Sequence, residues 1–206
     1  MDDGRHDGMR LPISGLVALA LASFLLALAC ILFTREFGRV AAVWPSNALA
    51  VAVLLRRPLR EWPGYAAAAI LGCLSANLVV GDDPATASAL AACNGLEILI
   101  CSAIAWRFAG EPTDLTRSRH LLGFCIAAAI ATAVSGVAAS IVLAVSGHLP
   151  LWRTFLQWYV VDVLGLLIVT PALIGAVSGH RSLWALILSR EAVGPSLALI
   201  DRKSVV

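Results

Sequence analysis

Six apolar stretches, each long enough to cross or nearly cross a bilayer, occupy most of the 206 residues of this chain. Hydrocarbon cannot hydrogen-bond a backbone, so an apolar run of roughly 20 residues is stable there only as a helix whose amides bond one another. The runs cover residues 13–33, 40–55, 64–80, 85–108, 121–145 and 155–177. They predict an all-α fold, a polytopic integral membrane helical bundle with about six transmembrane helices.

The composition excludes several other classes of protein. Hydrophobic residues make up 60% of the chain and charged residues 14%, whereas soluble domains average about 25% charged residues. The formal charge of +2 is small and the basic residues are scattered, so we expect no nucleic-acid partner. The five cysteines lie in apolar runs without a Cys-x-x-Cys motif, and the four histidines lie in predicted tails or loops. We therefore predict no metal site and no cofactor.

Three segments follow from this pattern. Residues 1–12 form an N-terminal tail, residues 13–177 the transmembrane bundle, and residues 178–206 a cytoplasmic or interfacial segment. The first apolar run is too long for a signal peptide, whose hydrophobic part spans about 7 to 15 residues. The last segment is predicted to form either a surface helix or the start of a further hairpin. Because the sequence stops there without a recognisable domain, we expect a truncated coding frame.

The basic residues predict the orientation of the bundle. Ten of them fall in the N-terminal tail and in the connections after the second, fourth and sixth runs, against three on the opposite side: Arg35, Arg39 and Arg153. Loops rich in Lys and Arg stay in the cytoplasm. We therefore expect a multi-pass protein of the bacterial inner membrane with both termini in the cytoplasm.

Two carboxylic acids, Glu97 and Asp162, lie inside the apolar runs. Ionisable groups at membrane depth are costly, usually face the bundle interior and mark functional sites by default. Each of these two either binds a proton, ion or ligand, or only bonds to a neighbouring helix.

Other polar residues accompany these acids in the second, fourth and sixth runs. Asn94 lies one turn before Glu97 on one predicted stripe, and Trp158 lies one turn before Asp162. In the second run, Pro45 predicts a kinked or broken helix whose free backbone groups bond locally to Ser46 and Asn47. Trp158 is either part of the site or an interfacial aromatic residue, and the kink is either functional or architectural.

Helix rise gives a depth for each of these groups. Counted from the outward helix ends, Asn47 and Asp162 lie roughly 5 to 10 Å deep, and Asn94 and Glu97 roughly 14 to 18 Å deep. We expect a small cavity opening toward the periplasm. Stripes of small residues, such as Gly64, Ala68, Gly72 and Ala76 in the third run, predict packing seams instead.

Three motifs together resemble the bacterial membrane-associated sensor domain MASE, type one. They are Trp44-Pro45-Ser46-Asn47-Ala48, Asn94-Gly95-Leu96-Glu97, and the segment from Trp158 to Gly165 that continues to Thr170-Pro171. The resemblance covers roughly residues 13 to 177. It implies a sensory input domain that precedes a cytoplasmic output domain such as a diguanylate cyclase, a cyclic-di-GMP phosphodiesterase or a histidine kinase. The sequence contains no motif of such an output, and Ala48 stands where the family usually has glycine.

The function expected from these features is signal sensing without catalysis by this chain. The candidate ligand-binding residues are Trp44, Asn47, Asn94, Glu97, Trp158 and Asp162. The expected partners are membrane lipid and the output domain of an intact parent, and a homodimer is compatible with this organisation. Two alternatives remain open, a small transporter or proton pathway that uses Glu97 and Asp162, and a membrane scaffold that senses nothing.

Overall fold

A computed structural model describes residues 13–34, 44–110, 113–147 and 150–177. Within these ranges the chain forms six α-helices, one short 3₁₀ turn and no strands. The helices are α1 (Ile13–Thr34), α2 (Pro45–Leu54), α3 (Trp62–Val79), α4 (Pro84–Ala109), α5 (Ser118–Val145) and α6 (Leu151–Val177), and the 3₁₀ turn Leu59–Glu61 precedes α3. The expectation of an all-α polytopic bundle is therefore confirmed. The predicted terminal segments, 1–12 and 178–206, lie outside the described residues.

Five of the described helices are long and apolar enough to cross a membrane, and α2 is not among them. At 1.5 Å per residue, the 26 residues of α4 extend about 39 Å, more than the hydrocarbon core of about 30 Å. The ten residues of α2 extend only about 15 Å. The second apolar run was expected to be helical from residue 40, but the helix described there begins at Pro45.

The shortest helix is also the most enclosed. Helix α2 packs against α1, α3, α4 and α6, and seven of its ten residues are buried. Pro45 stands at its first position, where the absent N–H would have had no partner within the helix. The proline therefore starts this helix instead of kinking it.

Small residues let neighbouring helices approach closely. A Cβ atom added at Gly72 of α3 would collide with the carbonyl oxygen of Ala20 in α1 and would lie 2.9 Å from the Cβ of Ser23. The predicted seam on α3 is confirmed at this position, where only a hydrogen atom fits between two backbones.

The outer surface of the bundle is apolar. Large side chains such as Leu25, Leu122 and Ile168 are more than half exposed. An apolar surface of this kind is costly in water and is expected in contact with lipid tails. The bundle thus has lipid-facing aliphatic walls and keeps its polar groups inside.

Candidate functional site

The candidate site is centred on Glu97 of α4. Asn94 and Glu97 are three residues apart, which places both on the inward face of this helix, and both are buried. Glu97 has no exposed surface. Its carboxyl group is thus held entirely by protein.

Both carboxyl oxygens of Glu97 accept hydrogen bonds from other helices. The side-chain amide of Asn47 in α2 donates to Oε1 at 2.9 Å. The hydroxyl of Ser135 in α5 donates to Oε2 at 2.5 Å. One side chain therefore connects α4 to α2 and to α5.

Helix α6 reaches the same carboxyl group. The carboxyl group of Asp162 lies close enough to that of Glu97 for the two to interact. Trp158 donates its indole N–H to the hydroxyl of Ser135 at 3.2 Å. Both residues are buried, so α6 closes the cluster on its fourth side.

Asn47 bonds across the bundle and not to the backbone of its own helix. Its amide nitrogen donates to Oδ1 of Asn94 at 3.1 Å as well as to Glu97. Ser46 lies 3.2 Å from the thiol sulfur of Cys73 and donates to the carbonyl oxygen of Ser23. The expectation that Ser46 and Asn47 would satisfy local backbone groups was wrong, because their side chains bridge to α1, α3 and α4 instead.

We call Asn47, Asn94, Glu97, Ser135, Trp158 and Asp162 the Glu97 cluster. It contains five of the six residues expected from the sequence. No cation is found among the side chains that interact with the Glu97 carboxyl group, which are Ser135, Asn47, Asp162 and Trp158. A buried carboxyl group surrounded by neutral donors and a second acid is an unusual arrangement, because buried charges are normally paired.

The indole N–H of Trp44 makes no hydrogen bond to this cluster. Its side chain packs against the apolar group formed by Ala27, Ile31, Cys73 and Ala76 of α1 and α3. Its backbone meets α6, because a Cβ added at Gly165 would lie 3.0 Å from the Trp44 carbonyl oxygen. Trp44 thus marks the beginning of α2, and its indole faces another pair of helices.

Ser135 is the member of the cluster that the sequence did not reveal. It precedes Gly136 in a helix rich in alanine and glycine, where a serine looks like one more small packing residue. The available signal was its position three residues after Thr132, which puts two hydroxyl groups on one buried face of α5.

The described residues contain no group of three or more His, Cys, Asp or Glu side chains placed to hold a metal ion. Asn47 keeps one polar atom without a partner, its buried Oδ1. The chemistry that the cluster offers is therefore hydrogen-bond exchange and proton binding by two neighbouring acids.

The family of the chain follows from a comparison with known proteins. The MASE1 family model matches residues 15–200, so the chain belongs to the MASE1 family of membrane-associated sensor domains. Domains of this family are the membrane sensors of signalling proteins. Comparisons with curated proteins and with solved structures found no match.

Proposed function

We propose that this chain is the sensory input domain of a bacterial signal-transduction protein and that the Glu97 cluster is its sensing element. Membership of the MASE1 family supports the first part of this proposal. The observation that carries the second part is the bonding of Glu97, because this one buried side chain joins α4 to α2, α5 and α6.

A signal acts on such a cluster by changing its bonds. A ligand shifts a conformational equilibrium only by binding one state better than the other. A ligand or proton that replaces Asn47 or Asp162 as the partner of Glu97 frees α2 or α6 from α4. The bundle then has two packings, which differ in whether α4 is bonded to α2 or to α6 at the level of Glu97.

Helix α6 is the route by which this change leaves the cluster. It carries Trp158 and Asp162, and further along it Thr170 donates to the carbonyl oxygen of Ala48 in α2 at 3.0 Å. It is also the last described helix. A displacement of α6 therefore reaches the chain that follows it, where we place an output domain of the cyclase, phosphodiesterase or kinase class.

The proposed orientation has both termini in the cytoplasm of a bacterial inner membrane. The described residues at the end where α2 and α4 finish include six arginines, Arg56, Arg57, Arg60, Arg107, Arg117 and Arg119, whereas the opposite end has Arg153 with Asp82 and Asp83. This asymmetry supports the orientation because arginine-rich loops stay in the cytoplasm. We call the end that carries these six arginines the Arg-rich end.

The proposal is tested by giving the chain a measurable output. A diguanylate cyclase domain fused after Val206 reports the state of the bundle as the cellular concentration of cyclic-di-GMP. Glu97→Gln turns one acceptor oxygen into a donor that faces Asn47 or Ser135, so we expect the output to change about five-fold or more, within the range of allosteric coupling energies.

The matched control is Ser102→Ala on the same helix. Ser102 is as deeply buried as Glu97, and its hydroxyl has no hydrogen-bonding partner. We expect this variant to leave the output unchanged at equal membrane abundance. An output from Glu97→Gln that equals that of Ser102→Ala would reject the sensing role and favour a scaffold.

A further inference from the structure

A groove on the side of the bundle lies outside the Glu97 cluster. It has a volume of about 460 Å³ and runs between the 3₁₀ turn with the start of α3 and the last turns of α4. Its lining residues are Leu59, Trp62, Ala103, Ile104, Trp106 and Arg107. The walls are thus apolar and aromatic, with one cation.

The two tryptophans of the groove differ in their hydrogen bonds. Trp62 donates its indole N–H to the carbonyl oxygen of Arg57 at 3.1 Å. The indole N–H of Trp106 is buried and has no partner. Because this nitrogen has no exposed surface, the polar contact that the groove offers a ligand comes from Arg107 instead.

The two arginines near the groove, Arg57 and Arg107, differ in their ionic contacts. Arg57 lies 3.7 Å from a carboxylate oxygen of Glu61 and 4.9 Å above the ring of Tyr65. Arg107, in the last turn of α4, is exposed and forms no ion pair within the part of the chain that the structure describes. Arg107 is therefore the cation available to an anion in the groove.

We propose that this groove binds an anionic phospholipid. Its phosphate accepts hydrogen bonds from the guanidinium of Arg107, and an acyl chain lies along Leu59, Ala103 and Ile104. A free anion would gain nothing from these apolar walls, whereas a lipid uses both parts of the site. The groove also lies near helix ends, where tryptophan and arginine meet lipid headgroups.

The test uses lipids whose acyl chains carry bromine, which quenches tryptophan fluorescence on contact. The chain is reconstituted in phosphatidylcholine vesicles that contain a small fraction of brominated phosphatidylglycerol or, in parallel, brominated phosphatidylcholine. We expect the anionic lipid to bind about five-fold more tightly than phosphatidylcholine. One arginine near an anionic headgroup increases the affinity by about that factor. Arg107→Gln should bring the two lipids to nearly equal quenching.

Arg119→Gln is the matched control, because Arg119 is an exposed arginine at the same Arg-rich end but does not line the groove. It should keep the preference for the anionic lipid. Equal quenching of the unaltered chain by both lipids would overturn the proposal. So would an equal loss of preference in Arg107→Gln and Arg119→Gln, since that result would show attraction by the general surface charge. Quenching by brominated phosphatidylcholine, measured for each variant, verifies that it is folded and inserted.

Discussion

The position of Glu97 depends on neutral donors. An ionisable side chain inside a bilayer is stable only when its polar atoms are bonded, and here Asn47 and Ser135 bond one carboxyl oxygen each. Removing a donor leaves an unsatisfied acceptor in a buried site, which costs more than the bond itself contributes. The donors around Glu97 are therefore as important to the cluster as the acid.

The first prediction concerns Asn47. Asn47→Ala removes the donor to both Glu97 and Asn94, and we expect it to lower the free energy of unfolding by about 1 to 3 kcal/mol for each acceptor left unpaired. Thermal unfolding in detergent, followed with a thiol-reactive dye, measures this loss. The dye reports unfolding because Cys73, Cys93 and Cys101 are buried in the folded bundle.

Ser102→Ala serves as the control for this measurement too. It also removes a buried polar group, but one whose hydroxyl bonds nothing, so its melting temperature should equal or exceed that of the unaltered chain. If Asn47→Ala and Ser102→Ala melt at the same temperature, Asn47 does not hold the cluster together.

Among single residues, the sequence revealed those members of the cluster whose side chains are unusual in a membrane helix. Acids and side-chain amides within apolar runs identified Glu97, Asp162, Asn94 and Asn47. Serine occurs at helix contacts for packing reasons alone, so Ser135 carried no comparable signal. Trp44 was expected in the site because of its neighbours in sequence, but its ring packs against α1 and α3.

Among the elements, α2 departs most from what hydropathy predicts. An apolar run does not reveal where within it a helix begins, and Pro45 favours the first helical position as well as a kink. Asn47 is the third residue of α2, and it contacts Glu97, the fourteenth residue of α4. The start of α2 therefore lies beside the middle of α4, which brings the two side chains into contact.

The second prediction concerns the contact between α1 and α3. Gly72→Ala adds a methyl group against the backbone of Ala20 and Phe24, which cannot rotate away as a side chain would. Overpacking of this kind costs about 1 to 3 kcal/mol. We expect a lower melting temperature in the same thiol-reactivity assay.

A glycine in open space provides the comparison. A Cβ added at Gly175 of α6 would meet no atom within 4 Å, and alanine favours a helix over glycine by up to about 1 kcal/mol. Gly175→Ala should therefore be neutral or stabilising. A Gly72→Ala variant as stable as Gly175→Ala would show that α1 and α3 are not in close backbone contact.

In the whole molecule, the Glu97 cluster links four helices and includes no residue of α1 or α3. Helices α2, α4, α5 and α6 share the Glu97 cluster, while α1 meets α3 through Gly72 and small side chains. Hydropathy predicted the class of the fold and the six helices of the residues that the structure describes. It could not predict which helices are neighbours, because several arrangements of six apolar helices satisfy the backbone equally well.

This division of the bundle has a consequence for signalling. The four helices that share the cluster include the last described one. Under the proposed function, a change at Glu97 therefore reaches the end of α6 without a displacement of α1 or α3. We propose that Glu97 and Asp162 act through one shared contact, and not as two separate acids.

A double-mutant cycle on the output of the cyclase fusion distinguishes a shared contact from two independent acids. Cyclic-di-GMP is measured at equal membrane abundance for Glu97→Gln, for Asp162→Asn and for the double variant. If both acids act through one contact, the double variant changes the output no more than either single variant does, because the first substitution already removes the contact. Effects that multiply in the double variant would show that the two acids act independently. Single variants that leave the output unchanged would show that neither acid takes part in sensing.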